Sequence, residues 1–568
     1  MPYRAQTRDI LFLLENVVGF DAVLAARGDG LDRETVAQVI GEAGNLCEGV
    51  IAPLQRAGDL HPARLENGQV VTSPGFRDGY RALAEGGWVG ISAPEEFGGM
   101  ELPRSVGMAL HDMLAASCLS LQLNPLMTQG QIHALEAHAD AEIKALYLPK
   151  LIAGDWAGTM GLTEPQAGSD VGALRTRAEP NGDGTYSITG QKIFISWGDS
   201  DLTENIAQLV LARLPDAPAG TRGISLFLVP KFLPIPDGSL GDRNAIRPVS
   251  LEHKMGLHGS PTAVMEFTGA TGWRIGPENG GMAAMFTMMN DARLGVGIQG
   301  IGVAEAACQK AQEYAAERRQ GRTAGPDGTI DEHPDVRRML AVMRARVFAA
   351  RAIALACATA LDLEALTGDP AARARAAFLT PIAKAYGTET GIAVSDMGIQ
   401  VHGGMGFIEE TGAAQYLRDV RVTAIYEGTN GIQAMDLVGR KLADGGEAAM
   451  ALLDEIERAA EAARAAFPVI AGAVWDAAED LREATEWMLG QPAEARFAGA
   501  VAYLEAFALV LGGHFHLAAA RAEGTSGARA ALARTYVKRL LPRHAALLAE
   551  AMQGADDLAG ITDEALCP

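Results

Sequence analysis

The segment Ile425-Tyr426-Glu427-Gly428-Thr429-Asn430-Gly431 sets one carboxylate in a turn of glycines and small polar residues. Beside Gly428 a glutamate presents its carboxylate with little steric obstruction, and Gly431 lets the backbone come close and offer N–H groups to anionic or carbonyl oxygens. That arrangement suits a general base. Upstream, Gln400-Val401-His402-Gly403-Gly404-Met405-Gly406 follows an apolar helical stretch and leaves bare backbone on which a bulky ligand can lie. In Leu162-Thr163-Glu164-Pro165-Gln166-Ala167-Gly168-Ser169-Asp170, Pro165 and Gly168 force a tight non-helical loop, so the Thr163 and Ser169 hydroxyls converge on one ligand. Phe194 and Ser196, one residue apart on a predicted strand, are expected to share a sheet face that seats a flat heterocycle.

The patterning predicts an α+β chain to carry these groups. Residues 1–156 read as a helical N-terminal domain, in which Pro149 is expected to end the helix around Lys144. Short β-branched and aromatic runs bounded by Gly, Asn, Asp and Pro predict a central β-barrel domain over 157–278, with Asn181-Gly182-Asp183-Gly184 as a hairpin turn. A C-terminal four-helix bundle is expected over 279–443, one helix opening at Met289 and another at Pro334. An extra helical segment, three or so helices, fills 444–568.

Composition narrows the function classes. A net charge of −22 over 568 residues argues against general affinity for nucleic acid or anionic membrane surfaces. Five scattered cysteines without CxxC spacing read as reduced thiols, and the N-terminus shows no signal-peptide pattern. No uninterrupted apolar stretch reaches spanning length, so a soluble cytoplasmic enzyme is expected. No metal site is expected: His258 lacks a ligand partner at suitable spacing, and His514 and His516 at i, i+2 do not share a helix face.

The glycine cluster, the Glu427 turn, the 162–170 loop and the order helices, β domain, helices together resemble the acyl-CoA dehydrogenases, flavoenzymes that oxidise the α–β bond of acyl-CoA thioesters. The resemblance implies FAD as cofactor and Glu427 as the α-proton base, with its backbone N–H on the thioester carbonyl. It places Met160, Leu162, Thr163 and Ser169 along FAD, with Ser169 also near CoA. Phe194 and Ser196 stand where the family usually has Trp and Thr. Arg318, in Glu317-Arg318-Arg319-Gln320-Gly321-Arg322, would meet the FAD pyrophosphate of a neighbouring subunit, and Gln400, Gly403, Gly404, Thr429 and Asn430 would also contact FAD. Asn290, Arg293 and Gly428 would face substrate, Arg293 either touching CoA or joining a salt bridge. Some members carry their base just before that arginine, where this chain has Ala292; His333-Pro334 departs from the family pattern and puts one FAD contact in doubt.

The opening segment, Trp88-Val89-Gly90-Ile91-Ser92-Ala93-Pro94 and the C-terminal extension look like the longer bacterial subgroup that includes the 3-methylmercaptopropionyl-CoA dehydrogenases. That implies 3-(methylthio)propanoyl-CoA as substrate, an electron-transferring flavoprotein as acceptor, and a homodimer or homotetramer. Other short or medium acyl-CoA esters, an acyl-CoA oxidase, and a non-catalytic relative of the same fold are the alternatives.

Overall fold

The structure, a computed structural model, describes residues 3–235, 237–323 and 325–567. Helices Thr7–Asn16, Phe20–Arg27, Arg33–Leu46 and Ala52–Leu60 open the chain; the last two pack on the long element Arg104–His138 and the first two against Pro334–Thr367. That element is broken at Cys118, whose φ of −157° and ψ of 92° are non-helical. A straight helix would hold His111 and Gln129 roughly 27 Å apart along its axis, yet their side chains hydrogen-bond at 2.8 Å. The chain therefore reverses at Cys118, and residues 104–117 and 119–138 form a helical hairpin.

Ala141–Ile152 follows, capped by the Asp140 carboxylate on the Ile143 N–H at 2.9 Å. Pro149, expected to stop a helix near Lys144, lies inside this one, which begins where the other was to close. Near a C-terminus proline removes one hydrogen bond, and burial of Leu148, Leu151 and Ile152 outweighs that loss.

The central sheet runs Trp156–Gly161, Asn205–Ala212, Ser225–Pro230, Thr262–Ile275, Tyr186–Ser196, Arg177–Pro180, with Ile246–Leu251 also paired to Thr262–Ile275. Its first pair is parallel and the others antiparallel. The Asn181 turn joins Arg177–Pro180 to Tyr186–Ser196, with Gly182 and Gly184 at positive φ. Opposite Ala263 and Met265 the register slips by one residue, and Phe194 takes a φ of 60°. The simple alternation expected for Phe194 and Ser196 is thus interrupted: Lys192 and Ile195, three apart, are both buried. The bulge leaves Phe194 59% exposed and Ser196 half-buried.

Gly281–Glu317, Pro334–Thr367 and Pro370–His402 form the bundle. The first begins two turns before Met289, where it was expected to open, because the Gly281 N–H docks on the Ile224 carbonyl at 2.9 Å. It runs alongside Pro370–His402 in the same direction, with backbones in contact. A Cβ on Gly297 would sit 2.5 Å from the Ala383 carbonyl oxygen, and one on Gly387 2.5 Å from that of Gly297. Buried charge ties the hairpin to the bundle. Arg351 donates to Asp112 at 2.6 Å and to Glu305 at 3.2 Å, and Arg344 donates to both Glu305 oxygens.

The C-terminal segment holds Glu447–Ala463, Pro468–Leu489, Ala500–Glu523, Ala528–Arg539 and Arg543–Ala551 beside shorter turns, more than the three or so helices expected. By length and composition Arg104–His138 and Ala500–Glu523 could cross a membrane, contrary to the expectation that no stretch would. Both are core: every residue of the apolar window in the first is buried, and 89% of those in the second.

Candidate active site

Glu427 follows the turn Arg421–Ala424 and takes a φ of 55°; Gly428 follows at 84°. An L-residue in the left-handed region costs on the order of 1–2 kcal/mol, so the neighbours must hold it there. Thr429 caps Asn430–Asp436 through the Ile432 N–H at 3.2 Å. Gln433 Nε2, one turn into that helix, donates to the carbonyls of Glu427 and Gly428 at 3.3 and 3.4 Å.

Glu427 keeps intermediate solvent exposure. Desolvation pushes its carboxyl up to about 7, against the opposing charges of Arg293 and Lys384. Lys384, fully buried, has its ammonium pulled down to about 8 by desolvation, while the Glu427 and Glu389 charges act to raise it. Its Nζ donates to Asn430 Oδ1 at 3.0 Å, and Asn430 Nδ2 donates to Thr388 Oγ1 and Glu389 Oε1. Arg293 is buried, with Asp436 at 3.6 Å and its Nε unpartnered. Of the two readings left open for Arg293, the salt bridge is therefore present. Asn290 is exposed beside it, and Gly428 is half-buried. Ala292 lies in an apolar cluster that also contains Met160, Met288 and Ala284, with Leu162 and Met289 packed against it.

That cluster, which holds Ala292 next to Arg293, also contains Ala167 of the 162–170 loop. Glu164, buried in the loop, accepts from Lys192 Nζ at 2.8 Å, Thr176 Oγ1 at 2.6 Å and the N–H groups of Arg175 and Thr176. Lys192 also donates to the Leu162 carbonyl at 3.0 Å, so one ammonium holds the N-terminal arm of the loop while Glu164 ties that arm to Arg175 and Thr176 beyond it. Burial brings Lys192 down to about 8 while the same ion pair and hydrogen bonds hold Glu164 at about 2. Thr163 is left half-buried and Ser169 exposed.

Arg318, Gln400, Gly403 and Gly404 gather elsewhere. Tyr314 and His402 stack at 4.4 Å, bringing the ends of Gly281–Glu317 and Pro370–His402 together. Thr388, beside Asn430, is about 21 Å back along the latter helix. One chain therefore splits the residues expected at FAD into two groups, one beside the middle of this helix and one at its C-terminal end. A Cβ on Gly403 or Gly404 would meet nothing within 4 Å, leaving open backbone there.

Sequence reasoning passed over Lys384, Thr388, Gln433, Glu164 and Lys192. Lys384 leaves a signal, a lone cation in the apolar run Ile382-Ala383-Lys384-Ala385-Tyr386. His258, set aside as structural, bonds the Lys254 carbonyl at 2.9 Å and pairs with Asp59. His516 bonds the Ala345 carbonyl, and among the described residues no group of three or more His, Cys, Asp or Glu could hold a metal ion.

The residues fit a large, flat, hydrogen-bonding cofactor: a clamped loop offering hydroxyls, an aromatic ring turned outward by a bulge, and a carboxylate poised near neutrality. Domain models agree. Acyl-CoA dehydrogenase N-terminal, middle and C-terminal domains match residues 34–155, 159–270 and 279–442, and an acetyl-CoA dehydrogenase C-terminal-like domain matches 452–562. The chain is 49% identical over 461 residues to the 3-methylmercaptopropionyl-CoA dehydrogenase of Ruegeria pomeroyi, covering 79% of this chain and 78% of the relative. It is 35% identical to a butyryl-CoA dehydrogenase of Syntrophomonas wolfei over 77% of this chain and 75% of that one. The fold matches that of butyryl-CoA dehydrogenase from Megasphaera elsdenii with a TM-score of 0.60 at 26% identity, covering 72% of this chain and 98% of that one. A Caenorhabditis elegans protein, ACDH-11, solved with C11-CoA, superposes over 94% of this chain and 91% of its own at a TM-score of 0.79 and 22% identity. The chain belongs to the acyl-CoA dehydrogenase family, whose members are FAD-dependent oxidoreductases.

Proposed function

We propose that this enzyme oxidises 3-(methylthio)propanoyl-CoA, with Glu427 removing the α proton. The observation that carries the base assignment is the Glu427 carboxyl, lifted to about 7 by desolvation and stationed between Arg293 and Lys384. A base works best with a pKa near the working pH, and these cations keep it partly ionised there. Ala292 leaves the alternative position without a carboxylate. The 49% identity to the Ruegeria pomeroyi enzyme supports the thioether substrate; the butyryl-CoA relative supports a linear short-chain acyl-CoA as the second reading.

Met160, Leu162, Thr163, Ser169, Phe194, Ser196, Thr429 and Asn430 would hold FAD, which would supply the acceptor for the β hydride. The chain's own residues hold substrate and move the proton. The Glu427 N–H takes the thioester oxygen, Asn290, Arg293 and Ser169 face the CoA portion, and Glu427 takes the proton. Arg318, Gln400, Gly403 and Gly404, too far away within one chain, complete the site of a neighbouring subunit in a homodimer or homotetramer. An electron-transferring flavoprotein in the cytoplasm would be the partner that accepts the electrons.

The test is Glu427→Gln, assayed for FAD content, acyl-CoA binding and α-proton exchange in deuterated buffer. FAD and binding should persist while exchange is lost; retained turnover refutes the base. A panel of acyl-CoA esters ranked by kcat/KM decides between the two substrates.

A further inference from the structure

Beside Glu427, the Tyr426 hydroxyl begins a line of hydrogen bonds, buried along its middle, that ends on a backbone carbonyl. Tyr426 Oη donates to Gln299 Oε1 at 2.5 Å, and Gln299 Nε2 donates to Gln122 Oε1 at 2.8 Å. Gln122 Nε2 lies 3.0 Å from His111 Nδ1, His111 Nε2 lies 2.8 Å from Gln129 Oε1, and Gln129 Nε2 donates to the Trp88 carbonyl at 3.3 Å. Gln299, Gln122, His111 and Gln129 are all buried.

The polarity of this line is forced from its far end. A carbonyl can only accept, so Gln129 must turn its amide nitrogen to Trp88 and its oxygen to His111. His111 must then carry its proton on Nε2 and accept on Nδ1, and each glutamine beyond has one orientation left. Burial agrees, pulling His111 down to about 4 and keeping the ring neutral. Each link commits the next, so the Tyr426 hydrogen is directed to Gln299 and withheld from other acceptors.

We propose that Tyr426, Gln299, Gln122, His111 and Gln129 form a positioning relay that anchors the N-terminal side of the base and keeps the tyrosine proton off its carboxylate. The inference rests on the reading of Glu427 as the base. Glu427 occupies a strained backbone conformation, which persists only where its surroundings over-determine it. Gln433 restrains the C-terminal side through two carbonyls, and the relay restrains the other through the adjoining residue. Its anchor is the turn Trp88–Gly90, and the reversal at Cys118 is what brings His111 back to Gln122 and Gln129. None of these relay residues supplies or accepts the transferred proton.

The experiment measures flavin reduction by 3-(methylthio)propanoyl-CoA or butyryl-CoA in a single turnover of FAD-loaded enzyme. The rate at saturation reports the chemical step and its concentration dependence reports substrate dissociation. In Gln299→Leu and Tyr426→Phe the saturated rate should fall about 10- to 100-fold, the scale of a displaced catalytic group. Substrate dissociation should stay within about threefold and FAD should be retained. His111→Gln keeps an acceptor and a donor on one side chain and should recover part of the rate lost in His111→Leu. A purely structural role would lower FAD content or stability in Gln299→Leu without this split, and Tyr426→Phe, which removes a single oxygen, decides the case if Gln299→Leu does not fold. Wild-type reduction rates in Tyr426→Phe, with Glu427→Gln inactive, overturn the relay. An active Glu427→Gln overturns the base assignment instead.

Discussion

Lys384→Met isolates the electrostatics of the base. Two cations, Arg293 and Lys384, oppose the desolvation that lifts Glu427, and Lys384 is charged below about 8, a range that covers the Glu427 midpoint near 7. At a partly buried site one such neighbour is worth on the order of 1–2 kcal/mol, or about one pKa unit. A base acts when deprotonated, so activity lies above its pKa. Removing a cation raises that pKa and moves the rising limb of the pH–rate profile alkaline by about one unit. Flavin reduction at saturating acyl-CoA, followed by stopped flow from about pH 5.5 to 9.5, should show a loss approaching tenfold below the shifted limb. The two profiles should converge at high pH. Lys384→Arg keeps the charge and should leave the limb in place. The lysine is itself held below its ordinary 10.5 by burial. Below about 8 the folded chain therefore carries the full cost of that charge, and the cost disappears as pH rises to 10.5, so the methionine variant should not be less stable at neutral pH. Superimposable limbs for wild type and Lys384→Met, or an equal shift in Lys384→Arg, would refute the reasoning.

Lys192→Met leaves Glu164 buried without its cation and frees the Leu162 carbonyl, so stability should fall by about 3–5 kcal/mol. FAD dissociation should quicken, as fluorescence release of the flavin would report; tight FAD binding in a destabilised variant would sever the clamp from the cofactor. Gly387→Ala pushes a methyl against the Gly297 carbonyl oxygen, with no side chain able to yield. It should cost about 1–3 kcal/mol, read as a lower Tm, and because Lys384 shares that helix the pH limb should move as well. An unchanged Tm would show that the two helices can separate freely.

The local parts of the site were legible because glycine and proline act on the backbone next to them. The Glu427 turn, the 162–170 loop and the open backbone at Gly403 and Gly404 all announce themselves within ten residues. Lys384 stands out only as a lone cation in an apolar run; residues 381–388 around it are all buried, so periodicity does not say that it faces Glu427. The bulge at Phe194 depends on the partner strand, where the register slips between Ala263 and Met265. At Cys118 the surrounding run Leu119-Ser120-Leu121-Gln122-Leu123 carries no glycine or proline, and the reversal is enforced by what the two arms pack against. Pro149 failed as a stop signal for a related reason, since the apolar residues around it were worth more buried in a helix than released from one.

Glu427 combines a left-handed backbone with a desolvated carboxylate, and each raises the free energy of the folded chain. A glycine at 427 would relieve both at the cost of turnover. Stability and activity are therefore opposed at this one position, and a selection for thermal tolerance alone would discard the base early. In a lineage no longer selected for oxidation, position 427 is where decay should begin: glycine or asparagine there, in an otherwise intact fold, would mark a descendant that has kept the architecture and abandoned the reaction.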